Sequence, residues 1–104
     1  MTQDKKIRKI ISSITGRIKE KYHPEKIILF GSFAYGKPKK NSDIDLLIIK
    51  DTNISTLKQA FLIRRELREP IPIDIIVRTP LQIEERIKMG DFFIKRIMQK
   101  GIVL

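Results

Sequence analysis

Two aspartates one residue apart, Asp43 and Asp45, open the run Asp43-Ile44-Asp45-Leu46-Leu47-Ile48-Ile49. Side chains alternate faces along an extended chain, so both carboxylates point the same way, roughly 6.6 Å apart. Two like charges at the mouth of an apolar strand are costly unless a cation neutralises them. A hard divalent ion with oxygen ligands is the natural candidate. The same pair also fits a solvated strand end guarded by charged residues. A third carboxylate, Asp74, sits in Ile73-Asp74-Ile75-Ile76-Val77, where an unpaired charge among apolar neighbours needs compensation. A Lys or Arg partner is one solution. A shared cation is the other, provided that this strand lies beside the strand of Asp43 and Asp45. Three convergent carboxylates bind one ion jointly and a second through shared oxygens. Two such ions, about 4 Å apart, stabilise the attacking and leaving oxygens of a phosphoryl transfer. Asp74 is the carboxylate expected to face the acceptor and take its proton. Gly31-Ser32 adds free backbone N–H groups and a hydroxyl directly after an apolar run, an arrangement that suits phosphate and that is also an ordinary turn.

The elements that must position these groups follow from periodicity. Residues 26 to 30 read as a buried strand stopped by Gly31, and Ser32 to Gly36 as a tight turn or short helix start. Residues 37 to 42 are a polar loop, and 43 to 50 a second strand whose apolar second half implies a central place covered on both faces. Asn53 or Ser55 caps a helix carrying Leu57, Ala60, Ile63 and Leu67 on one side, closed by Glu69-Pro70. Residues 71 to 77 form a third strand, with Pro72 near its start, where a missing donor is tolerated. Thr79-Pro80-Leu81-Gln82 has the pattern of a capping box with proline at the first helical position. Gly90 ends that helix, and Asp91 caps a last one with Phe93, Ile94, Ile97 and Met98 on its apolar face, before Gly101 and an Ile-Val-Leu tail. Ahead of all this, Ile7, Ile10, Ile11, Ile14 and Ile18 form one stripe of an amphipathic helix from about Asp4 to Lys21, ended by His23-Pro24. The prediction is a single α+β (α/β) domain over residues 1–104. Its sheet is small and mixed, with three or more strands, because the link between the first two strands is short, and helices pack against it.

The run Leu29-Phe30-Gly31-Ser32-Phe33-Ala34-Tyr35-Gly36, then Ser42-Asp43-Ile44-Asp45-Leu46-Leu47-Ile48, resembles the signature of the minimal nucleotidyltransferases of the polymerase-beta superfamily. The resemblance implies the nucleotidyltransferase fold. It implies Gly31, Ser32 and Ser42 as nucleotide-binding positions, and Asp43, Asp45 and Asp74 as catalytic, Mg2+-binding residues, with two ions and ATP as substrate. Many members carry arginine where Tyr35 stands, so a phosphate contact is lost there or supplied by Lys37, Lys39 or Lys40. Larger relatives also clamp base and acceptor with a further domain, which points to partner subunits completing this pocket. Minimal members are typically paired with a HEPN-domain ribonuclease toxin and act as its antitoxin, moving AMP from ATP onto a tyrosine of the toxin. Adenine and tyrosine come from the resemblance and not from any residue of this chain.

Composition bounds the alternatives. A chain of 104 residues with 41% hydrophobic and 33% charged residues has room for one core and is too apolar for disorder. It contains no cysteine, so neither a disulfide framework nor a thiolate zinc site is available. No run approaches a membrane span, and the first six residues lack the apolar core of a signal peptide, so a cytoplasmic location is expected. A net charge of +10 favours anionic partners such as nucleotides, nucleic acid or an acidic protein. With aromatics at 7% and no recognisable reading helix, nucleic-acid binding ranks behind the enzyme. It ranks also behind a third possibility, an inactive binding module that neutralises a partner by occlusion. His23 is read as a helix-ending surface residue, and Phe92, Phe93, Met98 and the isoleucine stripes as core or subunit contact; Tyr22 and Tyr35 are not expected to accept a nucleotide themselves.

Overall fold

A computed structural model describes residues 5–104. The helix expected from Asp4 is observed as α1 (Lys5–Tyr22), and Asp4 itself lies outside the described residues. Then follow β1 (Lys26–Phe30), α2 (Ser32–Tyr35), β2 (Ile44–Ile49) and α3 (Thr56–Glu66). The chain continues with β3 (Ile73–Arg78), α4 (Pro80–Lys88), α5 (Phe92–Lys100) and β4 (Ile102–Val103). The α+β class and the mixed sheet are as expected. The strands lie in the order β3-β2-β1-β4, with β2 parallel to β3 and antiparallel to β1. Among the described residues no helix is long and apolar enough to cross a membrane.

Alternation along β2 divides the core. Ile44, Leu46 and Ile48 join Ile7, Ile11, Ile14 and Ile18 of α1 and Ile63 of α3 on one face. Leu47 and Ile49 join Ile83 of α4 and Ile94 and Ile97 of α5 on the other. Burial of both faces explains why β2 reads as an almost unbroken apolar run. The stripe of α1 is buried as its spacing requires, and the helix stops where His23 turns to φ 49 before Pro24. Thr79 and Gln82 make the full capping box at α4, and Asp91 caps α5 by accepting from Ile94 N–H.

Three details differ from the sequence-based expectation. Leu57 is 83% exposed, while Gln59 and Ile63 face inward. The Ser55 side chain accepts from Lys58 N–H and so sets the start of α3, leaving Leu57 roughly 200° around the helix from Gln59. The third strand begins at Ile73 and not at residue 71, since Pro72 has no N–H to give and its carbonyl instead accepts from Ile44 N–H at 2.9 Å. The tail after Gly101 is a fourth strand. Residues Ile102 and Val103 pair with β1, and Leu104 N–H donates to the Ile27 carbonyl at 2.8 Å.

Candidate active site

The start of β2 lies between two neighbours that matter. In the parallel ladder Asp45 is in register with Asp74, and in the antiparallel ladder it faces Phe30, the residue before Gly31. Residues paired in register share a face of the sheet, so the Asp45 and Asp74 side chains stand side by side on adjacent strands. Asp43, two residues back from Asp45 and just ahead of the strand, lies close enough for its charge to act on Asp45. The face shared by Asp45 and Asp74 is the one covered further along by α4 and α5, as the packing of Leu47, Ile49 and Ile76 shows.

The three carboxylates differ in environment. Asp43 and Asp74 are exposed, while Asp45 is partly buried. The expectation that Asp74 sits in a costly apolar setting is therefore corrected: it lies near the strand's start, short of the part of that face where the core residues of α4 and α5 pack, and it is exposed to solvent. The electrostatic cost falls on Asp45 instead. Its carboxyl is pushed up from 3.8 to about 6, first by burial and then by the negative charges of Asp74 and Asp43. None of the three carboxylates has an ion-pair or hydrogen-bond partner among the described residues.

Gly31 comes up against Asp45 from the other side. Its backbone is at φ 74, ψ −159, a region only glycine adopts readily. A Cβ at this position would overlap Asp45 Oδ2 and lie 3.1 Å from its Cγ. Glycine is needed there both for conformation and for space. The Gly31 carbonyl accepts from Ala34 and Tyr35 N–H at 3.1 and 3.0 Å, which starts α2, and Gly36 at φ 77 closes it. The first amides of so short a helix, those of Ser32 and Phe33, have no carbonyl one turn back. Ser42 does a different job at the entrance to β2. Its hydroxyl accepts from Lys39 N–H at 2.6 Å and its N–H donates to the Lys39 carbonyl at 3.1 Å, closing the loop that delivers Asp43.

These donors suit a hard divalent cation. They are carboxylate oxygens, mutually repulsive and without a basic partner among the described residues. Among the described residues no group of three or more acidic or histidine side chains closes into a metal cage. Asp43 and Asp74 are exposed and Asp45 partly so, which leaves all three accessible to solvent.

Two contacts near the turn are not legible in the sequence. Phe93 of α5 meets Phe30 edge-on, with ring centroids 5.7 Å apart and planes at 87°. One turn further on, the Arg96 guanidinium lies 5.1 Å from the centroid of the Tyr35 ring. Their spacing of three places both on one side of α5, but nothing local says that this side meets α2. Lys39 and Lys40 line a different cleft of about 410 Å3, together with Ile7, Phe33 and Ser42, on the side of the sheet covered by α1.

A family model described as "Nucleotidyltransferase domain" matches residues 5–104. A Methanocaldococcus jannaschii protein named "Putative protein adenylyltransferase" is 27% identical over 104 residues, covering 100% of this chain and 99% of the relative. Among solved structures, that of "a putative nucleotidyltransferase from Sulfolobus solfataricus" superposes with a TM-score of 0.62 at 20% identity, covering 91% of this chain and 76% of the other. At that identity the likeness speaks for the fold.

Proposed function

Because the chain belongs to the nucleotidyltransferase domain family and is a nucleotidyltransferase, we propose that it moves AMP from ATP, with Mg2+, onto a tyrosine hydroxyl of a HEPN-domain toxin and so acts as its antitoxin. Residues 1–104 act as one domain in this reading. The observation that carries it is the register of Asp45 with Asp74, with the Gly31 backbone against the same Asp45 carboxylate. The name of the Methanocaldococcus relative supports a protein acceptor.

Each group has a role that its environment suits. Asp43, Asp45 and Asp74 would hold Mg2+, which when bound offsets the charge of the phosphates and of the oxygens that exchange at the reacting phosphorus. Asp45, the least exposed of the three, anchors the inner end of the site. Asp74 is open to solvent and hence to an acceptor, so it is the group placed to take the proton from the attacking hydroxyl. The Ser32 hydroxyl and the leading amides of α2 bind phosphate oxygens. Ser42 assists by fixing the loop before Asp43.

The test mixes purified protein, Mg2+, labelled ATP and the product of the adjacent reading frame. Label should appear on that product, and the Asp43→Asn/Asp45→Asn variant should lose the transfer while keeping its fold. No transfer from any triphosphate would sink the proposal. One observation favours a second reading: the three carboxylates do not close a cage among the described residues, as in a module that neutralises its partner by occlusion. In that case the double Asn variant still protects cells from the toxin.

A further inference from the structure

Resting on the reading that a nucleoside triphosphate binds beside Asp45, we propose that Arg96 binds its phosphate tail and that the ring of Tyr35 holds Arg96 in place. Arg96 is then a binding residue and Tyr35 a positioning residue. The guanidinium stands 5.1 Å from the Tyr35 centroid, within the range in which a ring face attracts a cation. A stacked guanidinium keeps its N–H donors at its edges, so the ring fixes the group without consuming what phosphate needs.

The placement is tied to the site through the backbone. Tyr35 N–H donates to the carbonyl of Gly31, and the Gly31 backbone abuts Asp45. Phe93, on the same side of α5, packs on Phe30, the register partner of Asp45. One side chain of α5 therefore rests on the strand that enters the glycine turn, and the other rests on the helix that leaves it. Tyr35 and Phe30 both pack with the core cluster on the carboxylate side of the sheet. The lysines of the 37–42 loop that line a cleft do so on the other side.

Charge supplies the ligand class. Arg96 makes no ion pair among the described residues, although the unpartnered carboxylates of Asp45 and Asp74 stand on its face of the sheet. Along α5, Phe92, Lys95, Arg96, Gln99 and Lys100 line an open cleft of about 420 Å3 with no acidic side chain. A fixed guanidinium lining a cleft whose charged side chains are all basic, on the same face of the sheet as the Asp45 and Asp74 carboxylates, suits a ligand with several negative oxygens, which a row of phosphates provides.

Calorimetric titration of the full chain with ATP, AMP and inorganic tripolyphosphate, Mg2+ present throughout, tests this. Arg96→Ala should weaken ATP and tripolyphosphate by about ten- to a hundredfold, the worth of one or two charged hydrogen bonds. AMP, which lacks the tail, should change far less. Arg96→Lys should recover part of the loss, since an ammonium gives a point charge and no fork. Tyr35→Ala should copy Arg96→Ala, Tyr35→Phe should bind like the parent, and the Tyr35→Ala/Arg96→Ala pair should be no worse than Arg96→Ala alone. Melting midpoints taken in parallel show whether each variant is folded, and Arg96→Gln carries the same test should the alanine variant melt early. Equal binding of tripolyphosphate by parent and Arg96 variants overturns the proposal, as does an equal loss of AMP. A parent protein that binds none of the three compounds overturns this proposal and the triphosphate reading together. Binding by parent and variant alike overturns this one alone.

Discussion

Asp45 holds a charge that its surroundings resist, and the consequence can be measured without any substrate. Its carboxyl is raised from 3.8 to about 6 by burial and by Asp74 and Asp43. Between those two values the native state holds a proton that the unfolded chain has released, so stability falls as pH rises through this window. Above about pH 6 the full cost is present. Asn at the same place carries no charge at any pH. Asp45→Asn should therefore be more stable than the parent at pH 8, on the order of 1 to 2 kcal/mol once solvent screening of a partly exposed group is allowed for. At pH 4 the difference should vanish, as urea unfolding of both proteins without divalent ions can check. Equal stability at pH 8 would mean that the three carboxylates do not interact as placed. Gly31→Ala makes the complementary case. It forces a side chain into φ 74, ψ −159 and into the Asp45 carboxylate. The backbone strain should cost about 1 to 3 kcal/mol. Label transfer should fall much further than stability, because Asp45 must move to make room.

The strands and helices repeat the same lesson about close approach. At Gly101 the backbone is ordinary, φ −67, yet a Cβ there would collide with Ile28 Cγ2 and lie 2.6 Å from the Ile97 carbonyl. Gly101→Ala must push α5 and β4 away from β1, at about 1 to 3 kcal/mol for overpacking. Hydrogen exchange at the Leu104 and Gly101 amides, which donate to Ile27 and Ile97, should quicken more than exchange in the β2·β3 ladder. Uniform quickening would mean that the junction does not open separately. The sequence alone made most of these elements visible wherever a period or a cap was strong: the α1 isoleucines, the Thr79 capping box, the apolar run of β2. It also indicated that Asp43 and Asp45 lie close together, since their spacing is local. The exposure of Asp74, the pairing of the Ile102–Val103 tail with β1 and the contact of Arg96 with Tyr35 were hidden, because each depends on which distant segment arrives beside it. Leu57 misled for a related reason. A leucine at helical spacing looks inward, but the cap at Ser55 fixes the phase of α3 and turns that position outward.

Taken as one charged body, the molecule places an acidic edge on a chain of net charge +10. The two signs act in opposition at the site. The overall positive field disfavours a bare dication, and the Asp43, Asp45 and Asp74 carboxylates disfavour a bare triphosphate. Bound together, each ligand removes the repulsion that the other meets, so the coupling between them is favourable and reciprocal. Mg2+ alone or ATP alone should therefore shift thermal unfolding little. Together, at ten times their apparent dissociation constant, they should stabilise by about 1.4 kcal/mol, roughly 5 to 10 °C for a domain of this size. Asp43→Asn/Asp45→Asn removes two of the three carboxylates that repel the triphosphate and hold the cation, so ATP alone should bind that variant better than it binds the parent, and Mg2+ should add nothing. Four melts of each protein, with neither ligand, either one and both, decide the matter. Strictly additive shifts in the parent, or a surviving Mg2+ effect in the double variant, would place the cation elsewhere than on these aspartates.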